Sequence, residues 1–517
     1  MSNMIKNAIN REIPKYIEGI GELKAFGGAF AYNPEGKKAA TKIPKTFTGK
    51  NKIIENIKTS LELCGIKNGM TISFHHHFRN GDYLVNMVVE EIDKMGIRDI
   101  TLAASSLQSI HAPLIDYIKK GVITGIQTSG IRGKLGEVVS REKILDKPII
   151  IRSHGGRPRA IESGETKIDI AFIAAPAADA YGNVNGVEGP TACGAMGYAM
   201  TDAEYADKVV VVTDYLVPYP ACPISITQTL VDYVVVVDEI GNPKGIVSDA
   251  TRITKNPMEL LIAQKASEAI ITSGLIREGF SFQAGSGGAS LGVAHFLRQK
   301  MRQEGITGSF AAGGITGYLV DMLEEGLFKS LLDVQCFDLK AIESIKNNPN
   351  HMEMSASFYA NPHNKGCVAN QLDIMVLSAT EIDLDFNVNV ITGSNGIVMG
   401  ASGGHSDTAA GSKLSIVVAP LLRGRLPIVV DEATNVITPG ETIDAVITER
   451  GIAVNPKRKD LLDLFKDAKL GVMSIYDLKE IAEKLVGKPR KIETTDEIVG
   501  LIEYRDGTII DTIRRAK

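Results

Sequence analysis

Short β-rich runs of four to six residues, each closed by a polar or glycine-bearing turn and followed by an amphipathic segment, recur along nearly the whole chain and restrict its fold more than any other feature. The first half holds MTISF, DITLAA, KPIIIRS, DIAFIAA, ADKVVVV and VDYVVVV, and the second holds FSFQAG, SFAAGG, DIMVLS and LSIVVAP. Runs such as ADKVVVV are apolar on both faces, which suits a mostly parallel sheet covered by helices on both sides. Between them, YLVNMVVEEIDKMGI carries its apolar residues at helical spacing. At 517 residues the chain is too long for one core. The expectation is an α/β fold of two related open α/β domains with mostly parallel sheets, although no close residue-level repeat is visible between the halves.

The predicted divisions are an amino-terminal arm over 1–48, a first domain over 49–250 and a second over 251–517 that includes the C-terminal helices and hairpin. The arm, with Pro14, Pro34 and Pro44, reads as largely irregular. NPKRKDLLDLFKDAK and YDLKEIAEKLVG read as surface helices on the second domain. EYRDGTIIDTIRR reads as a closing hairpin turned at Asp506-Gly507.

Composition excludes several classes of function. A formal charge of −4, with no long Lys/Arg run, gives no surface for a phosphate backbone, so nucleic acid is not an expected partner. Nothing reaches the roughly 20 apolar residues needed to span a bilayer, and the first 24 residues lack a signal-peptide core. Five widely spaced cysteines without a Cys-x-x-Cys pair suit a reducing compartment, and the expected location is cytoplasmic.

Candidate chemistry gathers where strands end. In GFSFQAGSGGASLGV, Gly285, Ser286, Gly287 and Gly288 lie between a strand and a helix, where backbone N–H groups face an anion, a thioester arm or an oxyanion; a tight turn is the structural alternative. The spacing is not G-x-G-x-x-G, so it is no dinucleotide fingerprint. ITGSFAAGGITG places Thr316 and Gly317 after a strand, as candidate oxyanion donors beside Gly404, with a plain structural turn as the alternative. Gly404 belongs to TGSNGIVMGASGGHSD, too rich in small residues to pack a core; with Asn395 and His405 it reads as a pocket wall.

In SFHHHFRNGD, strand alternation sends His75 and His77 to one side and His76 to the other. No further ligand at metal spacing completes a site, so no metal is expected. Arg79, with His77 beside it, suits a carboxylate. Arg152 and His154, in IIIRSHGGRPR, add cationic groups of the kind a tricarboxylate needs, with a solvated turn as the alternative. APAADAYGNVNG reads as a loop shaping a pocket. Ser105 and Ser106 lie outside any G-x-S-x-G elbow, and Cys193 reads as buried.

APAADAYGNVNG, GFSFQAGSGGASLGV, LSATEIDLDFNVNV, GASGGHSDTAAGSKLSIVV and DAVITERGIAVNP, in this order, resemble the landmarks of the CoA-transferase superfamily. Across nearly the whole chain the nearest resemblance is to the citrate lyase alpha-subunit family. It implies exchange of acetyl for citryl on a thioester carrier: acetyl-carrier protein and citrate give citryl-carrier protein and acetate. The implied partners are a beta subunit that cleaves the citryl thioester and a gamma subunit, the acyl carrier protein, in a higher oligomer. No cofactor is implied as permanently bound here; the chain would act on the phosphoribosyl-dephospho-CoA arm of the carrier or on free acyl-CoA. Many superfamily members use a glutamate after a Gly-Ile pair, where this chain has Tyr318. That departure implies direct attack by a citrate carboxylate. The alternatives are a glutamyl route through Glu324, Glu325 or Glu381, and a non-catalytic scaffold.

Overall fold

A computed structural model describes residues 4–32, 38–40, 51–247, 253–285 and 288–517. Two large sheets organise the chain. In the first, the order runs Ile149–Ile151, Ile123–Thr128, Ile100–Ala104, Thr71–Phe74, Ile170–Ala175, Lys208–Thr213, Tyr233–Val236, Ile53–Ile54, all parallel. The second repeats this plan as His351–Glu353, Phe328–Cys336, Gly308–Ile315, Ser281–Ala284, Ile374–Ser378, Leu414–Val418, Ala445–Ile447. It is then extended by Ile452–Val454, its one antiparallel neighbour, and Val472–Met473.

The chain reaches each next parallel position by a crossover, most often through a helix. The residues of Ile170–Ala175 are all buried, as a strand covered on both faces requires. The helix Leu84–Lys94 buries Leu84, Val85, Val88, Val89 and Ile92, one stripe at helical spacing. Each such side chain contributes about 1.5–3 kcal/mol by leaving water.

Identical topology puts a switch point at the same place in each sheet. The strands that follow Thr71–Phe74 are laid down on one side of it, and the chain then crosses to the other side with Ile170–Ala175. In the second sheet Ser281–Ala284 and Ile374–Ser378 hold the same positions. Crevices at such reversals are where open α/β sheets bind ligands. The residues leaving the two switch strands are His75–Arg79 and Gly285.

The repeat also reaches the side chains, contrary to expectation. After the first crossing, Ala177–Ala178 pairs with Val184–Asn185; after the second, Glu381–Ile382 pairs with Val388–Asn389. Asp179 accepts from the Asn183 amide side chain at 2.8 Å, and Asp383 from that of Asn387 at 3.0 Å. The shared pattern is Asp-x-x-x-Asn-Val-Asn, and in both copies it serves to lock a hairpin. APAADAYGNVNG therefore acts as scaffold outside the main cavity.

The described part of the arm is largely irregular, with two short strand pairs within it: Met4–Lys6 with Glu12–Pro14, and Tyr16–Ile17 with Gly21–Glu22. One segment is placed differently from the sequence reading. The closing hairpin, Thr494–Glu503 with Ile509–Ala516, joins the first sheet, where Gly500, Leu501 and Ile502 run parallel to Ile149, Ile150 and Ile151. Ile13, Leu501 and Ile509 form one small core that joins arm to hairpin. The hairpin thus covers the edge of the first sheet at Ile149–Ile151, which would otherwise expose unpaired backbone groups, and the arm packs on the hairpin. The helices Lys459–Asp467 and Ile475–Val486 form as expected. Among the described residues no helix is long and apolar enough to cross a membrane.

Candidate active site

The two switch points face one another, and the Gln335 side chain donates across the gap to the His76 carbonyl at 2.8 Å. A cavity of about 380 Å³ lies there. The first sheet supplies His76, Arg79, Ser106, Ser129, Arg132, His154 and Tyr198; the second supplies Gln283, Gly285, Tyr359, Met375, Leu377, Gly404, His405 and Arg423. The walls are held together by backbone bonds between the halves: Ser402 N–H donates to the Ser129 carbonyl at 2.7 Å and His154 N–H to the Gly403 carbonyl at 2.7 Å.

Its charge is one-sided. Among the described residues Arg79, Arg132 and Arg423 line the cavity, no Asp or Glu does, and none of the three arginines has a carboxylate partner. Arg79 has φ 52°, a left-handed backbone that a non-glycine residue adopts at some cost, which points to function. Its guanidinium lies 5.1 Å from the Phe337 ring centre and donates to the Ile246 carbonyl at 3.3 Å. Burial, then the charge of Arg132, lowers its pKa; desolvation lowers that of Arg132. Both guanidiniums would gain from an anion between them.

The imidazoles are neutral. His154 accepts or donates through Nδ1 with Tyr198 Oη at 2.7 Å and through Nε2 with Ser129 Oγ at 3.4 Å; burial, then Arg157, pulls its pKa down to about 3. His405 has both ring nitrogens engaged, by Thr438 Oγ1 at 2.7 Å and the Ser378 carbonyl at 2.9 Å, and burial pulls it down to about 4. These two rings shape the wall, with no nitrogen left for a ligand.

Other predicted site residues fall elsewhere. His77 turns away from the cavity, its Nε2 at 2.8 Å from the Ala174 carbonyl and its ring stacked 5.2 Å from His75, because residue alternation beyond Phe74 sends only His76 inward. Arg152 is buried in a network, with Nε donating to Glu503 at 2.9 Å and Nη1 to Thr166 at 2.9 Å. Asn395 sits on an exposed turn, its Oδ1 accepting from Ile397 N–H at 3.2 Å.

Thr316 and Gly317 cap the helix Gly317–Glu324 outside the lining, and Gly317 N–H is taken by Asp338 at 2.7 Å. Gly314 reaches the cavity instead. Gly404 lines it, as does Gly285; Gly288 begins a helix beyond it, and Ser286 and Gly287 lie outside the described residues.

No candidate glutamate reaches the cavity. Glu324 pairs with Lys340 at 3.3 Å and Glu325 with Arg302 at 2.6 Å, while Glu381 accepts from Thr434 N–H at 2.8 Å and from the Asn389 side chain at 3.0 Å. Tyr318 lies outside too, 3.3 Å from His295. Asp333, Cys336 and His351 form the one group among the described residues close enough to share a metal. They are joined instead by bonds to Asp333, from the Cys336 thiol at 2.9 Å and His351 Nε2 at 3.2 Å.

Sequence reading missed His76, Arg132, Tyr198, Gln283, Tyr359 and Arg423. Arg132 was within reach, since SGIRG follows the strand Ile123–Thr128 as RNGD follows Thr71–Phe74.

Twin open sheets that meet switch point to switch point over a cationic cleft, free of carboxylates among the described residues, define an acyl-transfer enzyme of the CoA-transferase type. The family model "Citrate lyase, alpha subunit (CitF)" matches residues 50–516. The citrate lyase alpha chain of Klebsiella pneumoniae is 53% identical over 466 residues, 90% of this chain and 92% of that protein. A crystal structure from Streptococcus mutans, assigned as the alpha subunit of citrate lyase in complex with citrate, superposes with a TM-score of 0.95 at 52% identity, covering 99% of this chain and 100% of that one. The alpha subunit of a malonate decarboxylase from Acinetobacter baumannii shares the fold, with a TM-score of 0.62 at 16% identity, over 84% of this chain and 88% of that one. The chain belongs to the citrate lyase alpha-subunit family, and it is an enzyme of that complex, acting in acyl transfer between citrate and an acyl carrier protein.

Proposed function

We propose that the transfer is direct, from acetyl-carrier protein to citrate, without an acyl-enzyme. The observation that carries this reading is a cavity lined, among the described residues, by three arginines and by no carboxylate. Citrate brings its own nucleophile: a carboxylate held by Arg79 and Arg132 attacks the acetyl thioester and releases the thiolate, which then attacks the citryl carbonyl of the mixed anhydride and releases acetate. Held together in one cavity, the two reactants need little else than orientation and a stabilised oxyanion. The Streptococcus mutans relative was crystallised with citrate, which supports citrate as the occupant.

The arm would be the phosphoribosyl-dephospho-CoA group of a gamma subunit, entering along Met375, Leu377 and Met399 on the second-sheet side, with free acyl-CoA as a substitute. A beta subunit would cleave the product, in a cytoplasmic, higher-order complex. Labelled acetyl-CoA and citrate supplied to the purified chain should yield citryl thioester, with no modified residue by mass spectrometry. A glutamate hydroxamate trapped by hydroxylamine would overturn the direct route.

A further inference from the structure

We infer that His76 is a catalytic residue, a neutral imidazole whose Nε2–H stabilises the oxyanion formed at the thioester carbonyl, and that Ser105 is the positioning residue that fixes this tautomer. The assignment rests on the direct transfer proposed above. It begins with the hydrogen bonds of Ser105. Its Oγ is fully buried, accepts from His76 N–H at 3.0 Å and lies 2.6 Å from His76 Nδ1. Among the described residues that nitrogen is the only partner shown for the hydroxyl hydrogen. If Nδ1 carried a proton, the Ser105 hydrogen would be buried without an acceptor, a loss of about 1–3 kcal/mol. Ser105 therefore donates to Nδ1, and the ring proton resides on Nε2.

Among the described residues Nε2 has no hydrogen-bond partner, and it is not sealed from solvent, so in a residue lining the cavity it is the nitrogen left to face a ligand. The ring cannot swing away. Its backbone carbonyl accepts from Arg79 N–H at 2.8 Å and from Gln335 Nε2 at 2.8 Å, and the ring is packed 4.7 Å from that of Tyr198 and 5.6 Å from that of His154. Nor does it charge: burial first, then His154, Arg79, His77 and Arg157, holds its pKa well below the usual histidine value. A fixed neutral donor suits this chemistry, because neither half-reaction moves a proton. Carboxylate oxygen bonds to the acetyl carbon, the π pair moves onto the carbonyl oxygen opposite Nε2–H, and its return expels the thiolate. The reverse sequence on the citryl carbonyl expels acetate. An imidazolium would protonate the thiolate; a neutral donor only stabilises charge, as in other enzymes that keep an electrophilic histidine neutral.

The test uses the full-length chain with acetyl-CoA and citrate. His76→Ala should lower kcat about a hundredfold to a thousandfold, the usual effect of losing one oxyanion donor, with the KM for citrate little changed. His76→Gln, which keeps an N–H, should recover most of the loss. Ser105→Ala should lower kcat in the wild-type background and have no effect in the His76→Gln background, a coupling that a general packing role would not produce. 15N-labelled histidine in the unliganded wild type, read by its ring nitrogen shifts, should show an Nε2–H neutral imidazole across pH 6–9. An Nδ1–H tautomer, or a His76→Ala variant that raises the citrate KM and leaves kcat unchanged, would overturn the assignment. If the wild type transfers no acetyl group to citrate, the parent reading fails, a result separable from any variant's behaviour.

Discussion

Arg152 Nε donates to Glu503 Oε1 at 2.9 Å, and the same oxygen receives Arg159 Nη2 at 2.8 Å. Two buried guanidiniums thus share one carboxylate of the closing hairpin, and Arg152 acts as a clamp between the first sheet and the chain's far end. Removing one member of such a buried group leaves its partners short of charge. Arg152→Ala should cost about 3–5 kcal/mol in urea denaturation while leaving the citrate KM near the wild-type value. Arg79→Ala should do the opposite. It removes hydrogen bonds to a charged ligand, each worth about 1.5–3 kcal/mol, so the citrate KM should rise about tenfold to a hundredfold with little change in the urea midpoint. Equal effects of the two substitutions on KM would return Arg152 to the site.

Close contact between the halves sets a second expectation. A Cβ on Gly130 would stand 2.3 Å from the Gly400 carbonyl oxygen and 2.4 Å from Ala401 Cα, both backbone atoms that cannot rotate aside. Gly130 and Ala401 also pair as an antiparallel bridge. Gly130→Ala should therefore spread the cleft, costing about 1–3 kcal/mol of stability and lowering transfer, whereas Gly274→Ala, at a helix end with open space around it but a left-handed φ of 74°, should cost about 1 kcal/mol through local backbone strain and leave transfer unchanged. Thermal melts and transfer rates of the two variants would separate these effects.

Strand runs such as KVVVVT were legible because full burial leaves a continuous apolar run, and the helices between them because they bury one stripe. The twin sheets followed. What stayed hidden was pairing between distant segments: nothing local to EYRDGTIIDTIRR says that it will seek Ile149–Ile151 instead of the adjoining second sheet. The same limit explains the site. Arg152 and Arg79 are alike in sequence, each a cation after a strand, and only the arrival of Glu503 from the hairpin distinguishes a structural arginine from a free one. His76 and His77 likewise differ only in which side of the strand end holds the crevice. The repeated Asp-x-x-x-Asn-Val-Asn stands in the sequence, at NVNG and NVNV, but the differing intervening residues mask it.

Thiol chemistry gives a third check. Cys222 is exposed, Cys193, Cys336 and Cys367 are buried, and Cys64 is half-buried with its pKa pushed up to about 12 by desolvation. Burial raises Cys193 and Cys336 well above the usual thiol range. The native chain should give one rapidly reacting thiol with a disulfide reagent and five after denaturation. Because Cys222 lies outside the cavity lining, its modification should leave acetyl transfer unchanged.

Asp407 joins the halves through Ser153 Oγ, which donates to Oδ1 at 2.9 Å, and Gly155 N–H, which donates to Oδ2 at 2.9 Å. Burial pushes its pKa up to about 6, against the lowering effects of Arg505, Gly155 and Ser153. In the unfolded chain an ordinary aspartate titrates near 3.9. Between about pH 4 and 6 the folded state thus binds more of this proton than the unfolded state, so the contribution of Asp407 to stability is fully present at the acid end and is lost as pH rises through 6. Asp407→Asn abolishes that titration. In urea denaturation the wild type should therefore gain on the variant as pH falls from 7 to 5, even while other carboxylates weaken both proteins together. A stability difference that stays constant, or that shifts toward the variant at low pH, would mean that the carboxylate is held ionised and that the Arg505 charge outweighs its burial.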